Sequence, residues 1–252
     1  MRNFSIILIF LFSYLSAIGQ GQRPMAKVNG GTFVPPYSLD SQKVIVKPFM
    51  MDVYPVTNAD FKKFILKNQQ WRKSNIKSIF ADKNYLQHWN TDTSFAASLA
   101  LSPVVNISWF AAKKYCECEG KRLPTVAEWE LAAKASKTKP DASKDPTFNQ
   151  WILSWVSKPN SKTMPSIGST FKNYFGIYDL HGLVWEWTYD FNSALTTGES
   201  RENSGLDNTL FCGGGSFSSK DVNNYASFMR FAMRSSLKAK FTVSNIGFRC
   251  VK

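Results

Sequence analysis

Residues 102–136, "SPVVNISWFAAKKYCECEGKRLPTVAEWELAAKAS", constrain the fold more than any other stretch of the chain. Ser108 is placed to cap a helix whose inner face is Trp109, Ala112 and Cys116, and Gly120 stops it. Pro124 then imposes a rigid turn. Thr125-x-x-Glu128 forms a capping box for a second helix that carries Trp129 and Ala132 inward.

Around this pair of helices the chain is cut into short pieces. "MAKVNGGTFVPP" reads as a short strand with a Gly-Gly turn, and "VIVKPFMMDVYPVTNADFKKFILKN" as strand, strand and helix. That helix starts at Thr57 or Asn58 and turns Phe61, Phe64 and Ile65 to one side. A polar insertion dotted with aromatics runs to about Leu101. Residues 137–165, rich in Lys, Pro, Ser and Asp, read as a loop. "FGIYDLHGLVWEWTYDF" is too interrupted by glycine for a long helix. The last sixty residues or so read as short strands, among them "NYASFMRFAMRSS" (224–236), where apolar and other side chains alternate. No internal repeat is present. The expected class is α+β, with two central helices, short strands and much irregular backbone.

A chain of 252 residues with 44% hydrophobic and 15% aromatic content can bury a core, which excludes disorder along its length. "MRNFSIILIFLFSYLSAIGQ" has a basic start at Arg2, an apolar run from Ile6 to Leu15 and a small-x-small step at Ala17-Ile18-Gly19. Residues 1–19 are therefore expected to be a signal peptide, and residues 20–252 the exported part, in the periplasm or on the cell surface. The apolar run is too short for a membrane span. The net charge of +13 comes from dispersed lysines with no basic block and no nucleic-acid motif. Nucleic-acid binding is not expected. Four cysteines (Cys116, Cys118, Cys212 and Cys250) can form disulfides in an oxidising compartment, and composition alone leaves their pairing open. His88 and His181 stand alone and read as structural hydrogen-bonding groups.

Four segments stand in fixed order: "YPVTNADFKKF", "PVVNISWFAAKKYCECEGKRLPTVAEWELAAKA", "FGIYDLHGLVWEW" and "GGSF…RSS…SNIGFRC". Together they resemble the formylglycine-generating enzyme (sulfatase-modifying factor) family over roughly residues 26–252. The resemblance implies an irregular fold related to C-type lectins. It implies a Cys116–Cys250 disulfide, and a structural calcium held by Glu186 with the carbonyls of His181, Gly182 and Val184. From the residues alone, Glu186 between two tryptophans must be paired, and an arginine such as Arg249 is the alternative to calcium. In active members a strand near the end carries cysteine, four residues, cysteine, Ala-x-Arg-Ser, and the two thiolates bind Cu(I). Ala232-Met233-Arg234-Ser235 matches that ending, which puts Ala226 and Phe231 at the two cysteine positions. No copper is expected. A ligand groove is expected instead, with Trp187, Ala226, Phe231 and Asn245 along it.

The resulting expectation is an exported, non-catalytic module that binds a protein, peptide or glycan of the cell envelope. It is similar in fold and export to gliding-motility and type IX secretion lipoproteins of the Bacteroidetes, without their lipobox or their length. The alternative is a formylglycine-generating or other periplasmic maturation enzyme acting on a sulfatase-type or other peptide.

Overall fold

Paired short strands, rather than one continuous sheet, hold the helices in place. The computed structural model describes residues 23–34, 43–156, 164–192 and 222–252, so the expected leader and Cys212 lie outside the described residues. Strand β1 (Met25–Val28) runs antiparallel to β4 (Phe49–Asp52), with Val28 opposite Phe49. Strand β2 (Gly31–Phe33) pairs in the same sense with β3 (Val44–Val46). The expected Gly-Gly turn separates β1 from β2. Gly30 has φ +77°, and a Cβ there would come within 2.5 Å of the Val46 carbonyl oxygen, so only glycine fits. A third pair, β5 (Trp185–Glu186) and β6 (Ile246–Gly247), is parallel.

The first three helices begin where their caps predict. Helix α1 (Asn58–Lys67) is capped by Thr57, whose hydroxyl accepts from the Asp60 N–H while Asp60 reaches back, a full capping box. Phe61, Phe64 and Ile65 are buried, as their spacing requires. Helix α2 (Trp109–Cys118) is capped by Ser108, and Gly120 follows its end at φ +66°. Its inner face is Ala111, Ala112, Tyr115 and Cys116; Trp109 is half-buried at the edge and donates to the Thr188 carbonyl at 3.0 Å. Helix α3 (Val126–Ala133) carries the Thr125–Glu128 box and buries Trp129 and Ala132.

Two helices differ from expectation. Residues 146–156, read as part of a loop, form α4 (Pro146–Val156). The signal is local: Asp145 accepts from the N–H groups of Thr147 and Phe148, Pro146 stands at the first helical position, and Phe148, Trp151, Ile152 and Trp155 keep helical spacing. The loop-like composition on either side hid it. The second difference is larger. The stretch read as a strand is helix α5 (Val222–Ser235). Its apolar residues satisfy a period of two and one of 3.6 almost equally, and Arg230 and Arg234, four apart, decide for the helix by sharing one partner on α3.

Two cores result. The first gathers Phe61, Phe64, Leu86, Trp89, Tyr115 and Phe248. The second lies between β1, β4 and α3 and includes Met51, Trp129, Leu131 and Ile177. The chain's last described residues join them. Met50 and Lys252 exchange backbone hydrogen bonds at 2.8 Å each, Arg122 and Val251 do the same at 2.9 and 2.7 Å, and Cys250 is disulfide-bonded to Cys116 as the resemblance implied. Cys118 is an exposed free thiol. Among the described residues no helix is long and apolar enough to cross a membrane.

Candidate functional site

A cavity of about 770 Å³ lies where α5, the segment before β5 and the loop before β6 converge. Trp129, Trp155, Trp185, Leu183, Met233 and Leu237 give it mainly apolar walls. Its size is that of a site for a small molecule or a few residues of peptide. Gly182, at φ +90°, is part of the wall because a Cβ there would fall 2.5 Å from the Trp155 ring, so the α4 tryptophan can lie flat on the loop.

One wall is charged. Helix α3 turns Glu130 into the interior, and α5 brings two guanidiniums to it. Arg230 holds the carboxylate side-on, with Nε 3.0 and 3.1 Å from the two oxygens and Nη2 at 2.8 Å from Oε2. Arg234 makes one bond, Nη1 to Oε1 at 2.6 Å, and its guanidinium sits 4.9 Å over the Trp129 ring. Burial alone would raise the Glu130 pKa; Arg230 and Arg234 outweigh it and hold the acid at about 2. His181 donates through Nε2 to the Ala133 carbonyl at 2.8 Å, and burial together with nearby Arg230 keeps its pKa down at about 4, so the ring is neutral.

The far end is polar and uncharged. Asn58 donates to the carbonyls of Leu99, Ser102 and Pro103 at 3.0, 3.1 and 3.3 Å, which turns its oxygen toward Trp89 and His88. Trp89 Nε1 donates to that oxygen at 2.8 Å, and His88 Nε2 lies 2.9 Å from it. An amide oxygen only accepts, so the His88 proton sits on Nε2; burial keeps this ring neutral as well, with a pKa of about 4. Asn245 also lines the cavity, and its Oδ1 is buried with no hydrogen-bond partner among the described residues.

Of the four residues expected along a groove, Asn245 is in the wall. Trp187 is not. It is fully buried in the first core, donates to the Ile107 carbonyl at 2.8 Å and meets Phe191 edge-on. Ala226 and Phe231 are buried in the packing of α5, 1% and 8% exposed, and stand outside the cavity lining. The residues assigned to calcium surround a carboxylate that is already spoken for. Arg249 donates to both Glu186 oxygens at 2.8–3.0 Å and Trp129 Nε1 to one of them at 2.8 Å, so the pairing with Arg249 is the geometry present. With both oxygens on Arg249, Glu186 is the one carboxylate of the set it was expected to form with His181, Gly182 and Val184, and the pair uses it. The residue that sequence reasoning missed is Glu130. Its signal was a second acid, beyond the capping Glu128, on the otherwise apolar helix "VAEWELAA", facing two arginines one helical turn apart.

The sulfatase-modifying factor enzyme 1-like domain matches residues 17–252. The chain is similar to inactive C-alpha-formylglycine-generating enzyme 2 of Bos taurus, 28% identical over 222 residues, covering 68% of this chain and 72% of that one. It is equally similar to the formylglycine-generating enzyme of Mus musculus, 28% identical over 254 residues, covering 83% and 67%. Among solved structures, CarF superposes on 91% of this chain and 97% of its own with a TM-score of 0.49 and 18% identity.

Proposed function

Because the chain belongs to the sulfatase-modifying factor enzyme 1-like domain family, we propose that it is a binding module made from an oxidase scaffold, acting outside the cytoplasm and taking a peptide into its cavity without oxidising it. The observation that carries this is the content of α5. The positions that the family resemblance assigns to the copper thiolates hold a methyl group, Ala226, and a phenyl ring, Phe231, both buried. Neither can ligate a metal or carry redox chemistry. On the same helix, Arg230 and Arg234 both bind Glu130. Among the described residues no three metal-binding side chains cluster. What the cavity does offer is apolar surface, a few fixed polar groups and enclosed volume, which suits binding. A disulfide between Cys116 and Cys250 persists in oxidising compartments, which supports export to the periplasm or cell surface.

The test is mass spectrometry of a Cys-x-Pro-x-Arg peptide incubated with the protein, copper, oxygen and a thiol reductant, alongside competition for Cu(I) with a chromophoric chelator. The expected result is an unchanged peptide and no Cu(I) retained. Conversion of the cysteine to formylglycine would overturn the proposal in favour of a maturation enzyme. Ala226→Cys with Phe231→Cys then asks whether only the metal site is missing: copper binding without turnover is expected.

A further inference from the structure

The charged wall of the cavity is unbalanced, and the imbalance selects a ligand. Two guanidiniums, Arg230 and Arg234, face one carboxylate, Glu130. The other buried ion pair near the cavity, Glu186 with Arg249, is one to one, and the two histidines in the lining are neutral. Among the described residues, the Arg230–Arg234–Glu130 cluster therefore carries one more positive than negative charge where water is scarce, and such an excess favours an anion.

The hydrogen bonds say which arginine holds it. Arg230 is spent: Nε and Nη2 on Glu130, Nη1 on the Ala226 carbonyl at 3.2 Å, and Nη2 also on the Ser227 hydroxyl at 3.1 Å. Among the described residues Arg234 makes a single hydrogen bond, to Glu130, although a guanidinium has five N–H donors. Trp129 and Phe231 lie 4.9 and 5.8 Å from its central carbon and fix the plane of the fork. Arg234 is thus oriented, lines the cavity and has donors to spare. Asn245 Oδ1, in the same cavity, is a buried acceptor without a donor. A peptide supplies both complements, a carboxylate for the fork and a backbone N–H for the amide oxygen, and its side chains suit Leu183, Met233 and Leu237 better than a hydroxyl-studded sugar ring would.

We propose that the cavity is a site for an acidic peptide segment, with Arg234 receiving its carboxylate and Asn245 accepting one of its N–H groups. This rests on the reading of the cavity as a ligand site, and it adds the charge of the ligand and the residue that reads it.

The experiment uses the purified full chain and three immobilised hexapeptide pools, random except for one fixed residue: Glu, Gln or Lys. The Glu pool should retain the protein about ten-fold or more better than the Gln pool, the margin of one charge-assisted hydrogen bond, and the Lys pool should retain it least. Arg234→Gln leaves Glu130 its side-on partner Arg230, so its fold should persist while the Glu preference disappears. Equal retention on Glu and Gln pools would overturn the acidic preference and leave the cavity reading intact. Retention by none of the pools would overturn both. If Arg234→Gln weakens all three pools alike, Arg234 is structural and the assignment fails. If that variant does not fold, the comparison of Glu and Gln pools on the unmodified protein decides alone. A sulfated disaccharide that binds while no peptide does would replace the peptide by a glycan and refute the proposal.

Discussion

Glu186 and Arg249 lie side-on in the interior, with two guanidinium nitrogens 2.8–3.0 Å from the carboxylate oxygens and neither side chain reaching solvent. The remaining Arg249 donors go to the carbonyls of Asp52, Val53 and Tyr178. One residue after β6 is thereby locked to β5, to the end of β4 and to the loop before β5. An arginine with every donor placed is a cross-brace, not a spare charge.

Removing one member should show this. Glu186→Gln is expected to lower stability by about 3–5 kcal/mol, the usual cost of stranding a buried charge. Thermal melts of the unmodified protein should not move between millimolar calcium and excess EDTA. A calcium-dependent rise in melting temperature would mean that the ion displaces Arg249.

The disulfide is open to direct reading. Tryptic mapping without reduction should recover "YCECEGK" joined to "CVK" through Cys116 and Cys250, with Cys118 alkylated. Cys250→Ser is expected to cost about 4–5 kcal/mol at most, since the closed loop spans a separation of 134 residues. Recovery of Cys250 in any other linkage would refute the pairing.

Acid should unfold the protein in two stages. His88 and His181 have folded pKa values of about 4 against an ordinary 6.5, so the unfolded chain takes up their protons first. Their contribution is present above about pH 6.5 and is lost as pH falls toward 4. Glu130, ordinarily 4.5 and held at about 2, adds a loss between those values. Urea midpoints measured from about pH 8 to about pH 3 should be level at first and then decline throughout the acid range. A midpoint unchanged from pH 7 to pH 4 would contradict the buried neutral histidines.

Trp187→Ala separates core from groove. With the indole fully buried and bonded to Ile107, the expected loss is about 3–5 kcal/mol of stability, as for other large-to-small changes in a core. Peptide affinity of the folded fraction should stay as it was. A variant of unchanged stability that no longer binds would put Trp187 back in the site.

How much of this was legible in the sequence depended on whether the signal was local. Thr57, Ser108 and Thr125 announced three helices because a cap and its partner lie within three residues of each other. The start of α4 had an equally local signature at Asp145-Pro146, masked by averaging over the polar residues around it. The identity of α5 was not local at all. Its period is resolved by Glu130, a hundred residues earlier, to which both arginines turn. The same distance explains why two residues expected along one groove stand apart. Trp187 directly follows β5 and Asn245 directly precedes β6, the two strands of one parallel pair, and the packing of Ile107 and Phe191 against Trp187 sends one inward while the other stays at the cavity.

Residues 249–252 fasten to Glu186, Cys116, Arg122 and Met50, all of which leave the ribosome before them. Cys250 belongs to one core and Val251 to the other, so neither interior is sealed until residues 249–252 are in place. A nascent or nicked chain lacking these four residues would keep nearly all of its apolar surface and lose its fastening, which makes it conspicuous to chaperones and proteases.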